Sequence, residues 1–169
     1  QTEKVDVLVK KSWGNQLSKS VDVEFGTVVS TLLHYTDVVI DTKLGEGSFG
    51  VVFKGRYNNE DVAIKKMKDV DACEESMEEF QREVSMLDKF RCDYIIHFYG
   101  ACTIRNHVML VTEYAPCGSL ADCIKKAPEP SDRLKVKLMP DAAKGLEYLH
   151  ANNILHRDIK PDNVLVFSL

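Results

Sequence analysis

The stretch from Leu44 to Gly55 reads Leu-Gly-Glu-Gly-Ser-Phe-Gly-Val-Val-Phe-Lys-Gly, and the residues after its third glycine decide the fold. Gly45, Gly47 and Gly50 form a G-x-G-x-x-G, a pattern that fits either a dinucleotide fold or a phosphate-covering hairpin. A dinucleotide fingerprint opens a helix at its third glycine. Here Val51, Val52, Phe53, Lys54 and Gly55 continue as a strand, so that reading fails. A glycine turn between two strands can lay its backbone N–H groups over a triphosphate, because glycine permits close approach and unusual torsions. Taken alone, the same turn is equally a plain hairpin.

Outward from this turn, β-type runs cover Val38 to Leu44, Gly50 to Tyr57 and Asp61 to Met67, with Asn58-Asn59 as the turn between the last two. The third run contains Val62-Ala63-Ile64-Lys65, a lysine with apolar neighbours. From Asp71 to Phe90 the period becomes helical, with Met77, Phe80, Val84 and Leu87 on one stripe and Glu74, Glu75 and Glu78 facing elsewhere. Glu83 breaks this separation: three places after Phe80 and four before Leu87, it lies along the buried edge and needs a partner. Lys65 can supply it, and an ammonium held by a carboxylate is a fixed point charge for phosphate oxygens. Considered by itself, that strand would give only a surface lysine beside Lys66 and Lys68. Two further β-type runs, Ile95 to Ala101 and His107 to Glu113, lead through Pro116, Cys117 and Gly118 into a mostly helical half. There Ser131 can cap a helix running toward His150, with Leu134, Leu138, Ala142, Leu146 and Leu149 on one side. Pro140 inside it predicts a kink, or a split with Pro140 restarting the helix.

The most specific signal is His156-Arg157-Asp158-Ile159-Lys160-Pro161-Asp162-Asn163, a polar loop between two short apolar strands, Ile154-Leu155 and Val164 to Phe167. Asp158 can accept a hydroxyl proton, Lys160 can neutralise a moving phosphoryl group, and the oxygen of Asn163 can bind magnesium. A merely solvated turn has no need for this order of residues.

Composition sets the frame around these motifs. The chain has 169 residues, 44% hydrophobic and 28% charged, enough for a buried core. Its net charge of −4 argues against nucleic acid as a partner. No apolar run is long enough for a membrane span, and the polar start is no secretory signal. Cys73, Cys92, Cys102, Cys117 and Cys123 are widely spaced without a C-x-x-C, which reads as reduced thiols in a cytoplasmic setting. Beginning at Gln1, the sequence is expected to be cut from something longer. Residues 1 to about 36, with alternating Val5, Val7, Val9 and Val21, Val23, carry no motif and read as short strands or flanking sequence.

In order and spacing the chain resembles the eukaryotic protein kinases from about Val38 to Phe167. The resemblance implies an α+β, protein-kinase-like fold: a flanking segment over 1–37, an antiparallel five-stranded N-lobe with its helix and hinge over 38–115, and a partial C-lobe over 116–169. It makes Leu44, Gly45, Glu46, Gly47, Ser48, Phe49, Gly50, Val51 and Val52 the glycine-rich loop, and Lys65 with Glu83 the activating ion pair. Asp158 becomes the catalytic aspartate, Lys160 its phosphate-contacting neighbour and Asn163 a ligand for Mg2+, with ATP as phosphoryl donor and a protein as substrate. Leu44, Val52 and Ala63 would roof the adenine, Leu165 would floor it, Thr112 would be gatekeeper, and the backbone of Glu113 and Ala115 would form the hinge. Leu87, Phe98 and His156 match the hydrophobic spine. Lys160 is similar to serine/threonine kinases, whereas Glu113 to Leu120 and His97 to Cys102 look like the tyrosine-kinase-like branch, receptor-type kinases included; dual specificity stays open. In that setting the flanking segment would be juxtamembrane, on the cytoplasmic side of a receptor whose span lies outside this chain. The family's D-F-G segment and activation loop do not occur before Leu169, so these residues alone are expected to be inactive, with helix faces such as Leu138 and Leu146 left in water. A non-catalytic truncated or pseudokinase module that binds nucleotide or a partner is the alternative.

Overall fold

A computed structural model describes residues 7–9, 31–47, 50–68, 74–104, 106–126 and 132–168. Val5, Val21, Val23, Ser48, Phe49, Cys73 and Ser131 fall outside these residues, as do the side chains of Glu74, Glu75 and Leu134. Two compact units make up the chain: Trp13–Phe90 with Phe98–Tyr114, and Gln1–Ser12 with Arg91–His97 and Ala115–Leu169.

The first unit is a five-stranded antiparallel sheet with one helix. β2 (Val38–Gly47), β3 (Gly50–Tyr57), β4 (Glu60–Met67), β5 (Phe98–Cys102) and β6 (Met109–Glu113) stand in the order β2-β3-β4-β6-β5; β1 (Val7–Val9) belongs to the other unit. Asn58 and Asn59 take φ of 49° and 66° between β3 and β4, the pair of positive torsions that matches a tight hairpin turn to the twist of its strands. Because side chains alternate, the register separates two faces. Val52, Ala63, Lys65, Leu110 and Thr112 share one, since Val52 pairs with Lys65, Lys65 with Leu110 and Ala63 with Thr112. On it lies α1 (Glu74–Lys89), whose Phe80 and Val84 are fully buried with Phe98, Ala101, Val108 and Leu110, and whose Met77 and Leu87 pack at the margin. Opposite, Val38, Val62, Ile64, Cys102, Met109 and Val111 form a second core, joined by Leu33.

Leu33 arrives from a strap that sequence patterning did not reveal. Its N–H donates to the Ala101 carbonyl at 2.9 Å, and Ala101 N–H donates to the Thr31 carbonyl at 3.1 Å. Gly100 permits this approach: a Cβ there would stand 2.7 Å from both Leu33 Cγ and the Thr31 oxygen.

The second unit is built on α3 (Asp132–Ala151), with the short α2 (Leu120–Lys126), β7 (Val164–Val166) and β1 (Val7–Val9), which pairs antiparallel with β7. Ser119 and Asp122 cap α2 reciprocally: Asp122 N–H donates to Ser119 Oγ at 3.1 Å, and Ser119 N–H donates to Asp122 Oδ2 at 3.0 Å. That backbone bond, then the Ser119 hydroxyl, holds the Asp122 carboxyl below the usual range. α3 ends at Asn153, φ 60°, where Asn153 N–H donates to the His150 carbonyl and Ile154 N–H to the Leu149 carbonyl, each at 2.9 Å. This is a Schellman termination, completed by packing of Ile154 with Leu149.

Several expectations need correction. α3 is one continuous helix through Pro140, which removes the expected split; Pro140 and Val136 are both exposed, so the carbonyl that loses its partner lies on the wet side of the helix. Leu138 is not left in water: it is 5% exposed, in a core with Val164 and Val166, whereas Val136 and Met139 of the same helix are exposed. The run Ile95 to Ala101 is not one strand, because Ile95 packs with Leu149 in the second unit and β5 starts at Phe98. Ile154-Leu155 forms no strand either.

Candidate functional site

Each unit carries one half of the expected constellation. In the first, Lys65 Nζ lies 2.9 Å and 2.6 Å from the two oxygens of Glu83, so the ammonium is gripped by the whole carboxylate. Their side chains are 19% and 9% exposed, dry enough for each to need the other. β4 supplies Lys65 beside Val52 and Ala63, and α1 supplies Glu83 from the edge of the stripe that buries Phe80 and Val84. Thr112 is buried across the sheet from Ala63, and its hydroxyl donates to the Glu113 carbonyl at 3.5 Å. Leu87 and Phe98 meet in the core beneath α1.

Gly45, Glu46 and Gly47 end β2, and Gly50 opens β3 under close constraint: a Cβ on Gly50 would stand 2.4 Å from the Lys66 carbonyl oxygen. Nothing lies within 4 Å of a Cβ built on Gly45 or Gly47. Leu44 is exposed, and Val51, Val52 and Ala63 are half-buried. Sequence reading missed that Glu46 is bonded to both Lys43 and Lys68. These two ammonium groups, Lys43 first, hold its carboxyl down at about 2.

In the second unit the loop after α3 is tied to itself. Asn163, 4% exposed, donates through Nδ2 to the Asp158 carbonyl at 2.8 Å and to Asp158 Oδ2 at 2.9 Å. Lys160 Nζ lies 3.0 Å from the same Asp158 Oδ2. His156, buried at 3% exposure, accepts the Asp158 N–H on Nδ1 at 3.3 Å, a second contribution the motif did not reveal. That bond requires Nδ1 without its proton. Arg157 has φ 60°, a left-handed torsion that a β-substituted residue holds only where its surroundings over-determine it. Pro161–Asn163 form a 3-10 turn that delivers Asn163 directly into β7, where Leu165 is half-buried. Ala115 is buried, and its carbonyl accepts from Gly118 N–H at 3.1 Å.

Among the described residues no cluster of three or more His, Cys, Asp or Glu could hold a metal by itself. Asn163 suits a magnesium ion that takes few protein ligands and completes its shell with phosphate oxygens and water. Because the Asn163 NH2 points at Asp158, Oδ1 is the atom a cation would take.

The family model described as protein kinase domain matches residues 38–168. A probable serine/threonine-protein kinase of Arabidopsis thaliana, SIS8, is 37% identical over 159 residues, which cover 92% of this chain and 15% of that protein. The dual specificity protein kinase shkB of Dictyostelium discoideum is 40% identical over 130 residues, 75% of this chain and 20% of its own. A putative serine/threonine-protein kinase/receptor of Acanthamoeba polyphaga mimivirus is 39% identical over 137 residues, 80% of this chain and 8% of its own. The chain therefore belongs to the protein kinase domain family. It spans a fifth or less of the length of these curated relatives.

Proposed function

We propose that the protein transfers the γ-phosphoryl group of ATP to a protein hydroxyl. The observation that carries this reading is Asp158 Oδ2, held at once by Asn163 Nδ2 at 2.9 Å and Lys160 Nζ at 3.0 Å. A carboxylate fixed by two donors can orient a substrate hydroxyl and take its proton, and the lysine beside it offsets charge on the transferring group. Lys65, clamped by Glu83, is the fixed cation for the nucleotide phosphates, and the Gly45–Gly50 turn covers them. The family resemblance assigns the adenine edge to the Glu113 carbonyl and the Ala115 N–H, and apolar adenine contacts to Leu44, Val52 and Ala63 of the first unit and to Leu165 of the second. Magnesium, when bound with the nucleotide, neutralises phosphate charge, and Asn163 would hold it.

Serine and threonine are the favoured acceptors, because Lys160 stands two places after Asp158 and relatives bear serine/threonine and dual specificity names. The likeness of Glu113 to Leu120 to the tyrosine-kinase-like branch keeps tyrosine among the acceptors to be tested. Cys92, Cys102, Cys117 and Cys123 are free thiols, in keeping with a signalling kinase that works in the cytoplasm, where ATP is found.

The test is phosphotransfer by the whole protein, with Mg2+ and labelled ATP, to serine, threonine and tyrosine peptides, followed by phosphoamino-acid analysis. Asp158→Asn should lower the rate roughly 100- to 10,000-fold, the range for losing a positioned base, without abolishing nucleotide binding. Undiminished transfer by that variant refutes the assignment. Nucleotide binding with no transfer by the unsubstituted protein would instead establish a non-catalytic module.

A further inference from the structure

Glu46 sits between two glycines at a turn whose ordering carries a high entropic cost, yet it is the most heavily bonded side chain of that turn among the described residues. Lys43 and Lys68 both bind its carboxylate, one to each oxygen, and Lys68 Nζ also donates to the Gly47 carbonyl at 3.5 Å. Three chain segments therefore converge on one carboxylate: β2 through Lys43, the residue just past β4 through Lys68, and the turn itself.

The backbone is shaped for this. Lys43 and Glu46 are three apart, and regular alternation would send them to opposite faces of the sheet. Instead the register shifts between them, with Lys43 opposite Phe53 and Gly45 opposite Val52, so β2 advances two residues while β3 advances one. This bulge resets the parity and turns Lys43 and Glu46 to the same side. That side is not the one carrying Lys65: Glu46 pairs with Val51 and Val51 with Lys66, whereas Gly45 pairs with Val52 and Val52 with Lys65. The clamp thus grips the turn from behind and leaves the Lys65 face clear.

We propose that Lys43 and Lys68 are positioning residues for nucleotide binding, holding Gly45, Glu46 and Gly47 through the Glu46 carboxylate in the conformation that receives the phosphates. The inference rests on the reading of that turn as a nucleotide loop. Tethering reduces the freedom that two glycines give the unliganded turn, so less order has to be imposed when the nucleotide binds. Since all three side chains are substantially exposed, the tether weakens with ionic strength.

Two mechanisms by which these charges could act predict different signs. If the lysines only attract phosphate through space, Glu46→Gln, which removes a negative charge, tightens nucleotide binding, while Lys68→Ala weakens it. A tether weakens binding in both. The experiment is titration of the unsubstituted chain, Glu46→Gln, Lys68→Ala, Lys43→Ala/Lys68→Ala and Lys68→Arg with Mg-ADP by calorimetry, at low and high salt, with thermal midpoints measured alongside. Expected is a roughly twofold to fivefold weakening in each of the first three variants, recovery in Lys68→Arg, near-constant midpoints, and differences that shrink as salt rises. Opposite signs for Glu46→Gln and Lys68→Ala, unchanged affinity in all variants, or midpoints that fall in step with affinity would each overturn the inference while leaving the nucleotide reading intact. Failure of the unsubstituted chain to bind would overturn the nucleotide reading, and the inference with it.

Discussion

Removing the Glu83 charge while keeping its shape, as in Glu83→Gln, leaves the Lys65 ammonium without its carboxylate in a site where the two side chains are only 9% and 19% exposed. At contacts of 2.6 Å and 2.9 Å the direct attraction is about 6 kcal/mol for an effective dielectric of 20, before desolvation is subtracted. Charge-assisted hydrogen bonds contribute about 1.5–3 kcal/mol net, and fully buried pairs cost about 3–5 kcal/mol when one partner is removed. For a pair that keeps some access to water, Glu83→Gln should therefore destabilise the fold by about 2–3 kcal/mol. With a urea dependence of about 1–3 kcal/mol per molar, the unfolding midpoint should drop by roughly 1–2 M. The double variant Lys65→Met/Glu83→Leu replaces the pair by apolar groups of similar size and should recover most of that stability, because no charge is left buried alone. It should not recover phosphotransfer, which needs the cation itself. Urea unfolding and peptide phosphorylation on the unsubstituted protein and both variants separate the two effects. A double variant as unstable as Glu83→Gln, or one that regains activity with stability, would refute the reasoning.

Gly50→Ala should lower both the thermal midpoint and nucleotide affinity, because its Cβ would meet the Lys66 carbonyl oxygen at 2.4 Å; Gly45→Ala, with nothing within 4 Å, should leave the midpoint nearly unchanged, and calorimetry of both variants checks the contrast. The Glu46 carboxyl, lowered from 4.5 to about 2 by Lys43 and Lys68, should keep its charge and its hold on the turn as pH falls from 7 to 3 and lose both only as pH approaches 2; carboxyl-resolved NMR titration should show it ionised at pH 3, and a midpoint near 4.5 would sink the clamp. Leu138→Ala should cost about 2–5 kcal/mol in denaturant unfolding and speed amide exchange in Val164–Val166, which shares its core; protection unchanged in β7 would detach the loop that holds Asp158 from that core.

Motifs whose meaning is local are legible in the sequence. Lys65 and Glu83 can be paired because a carboxylate on an apolar helical stripe demands a cation, and the structure brings them into contact. The pairings of β2 with β3 and of β3 with β4 follow from short β-type runs joined by turns, whereas the pairing of β4 with β6, across α1 and β5, is not encoded by adjacency. The features that escape depend on relations that periodicity does not encode. Leu33 enters a core by hydrogen-bonding past Gly100, a close approach between segments far apart in the chain. The Lys43–Glu46 contact depends on a bulge, and a one-residue register shift leaves no mark in an alternation pattern. Ile95 to Ala101 reads as one strand because an apolar run cannot say which of two cores each residue joins. Pro140 does not split its helix, because water can take the carbonyl that its missing N–H leaves without a partner on the exposed side.

The loop that holds Asp158 is the place where these local and distant constraints meet. Its entry is fixed by the Schellman termination at Asn153, which turns the chain out of α3 and seats Ile154 on Leu149. Its exit is fixed by β7, whose Val164 and Val166 share a core with Leu138 of the same helix. Between these anchors His156 takes the Asp158 N–H, and Asn163 donates to the Asp158 carbonyl and carboxylate, so both ends of the loop bind its central residue. Such over-determination explains how Arg157 can sit at φ 60°. It also places the carboxylate without relying on exposed side-chain packing, since His156 and Asn163 are 3% and 4% exposed. Lys160, 48% exposed at the side chain, reaches the same carboxylate from a more solvated position, 3.0 Å from Asp158 Oδ2. In the proposed reading, a carboxylate held this firmly would keep a substrate hydroxyl in line, and the exposed ammonium beside it would offset charge on the transferring group.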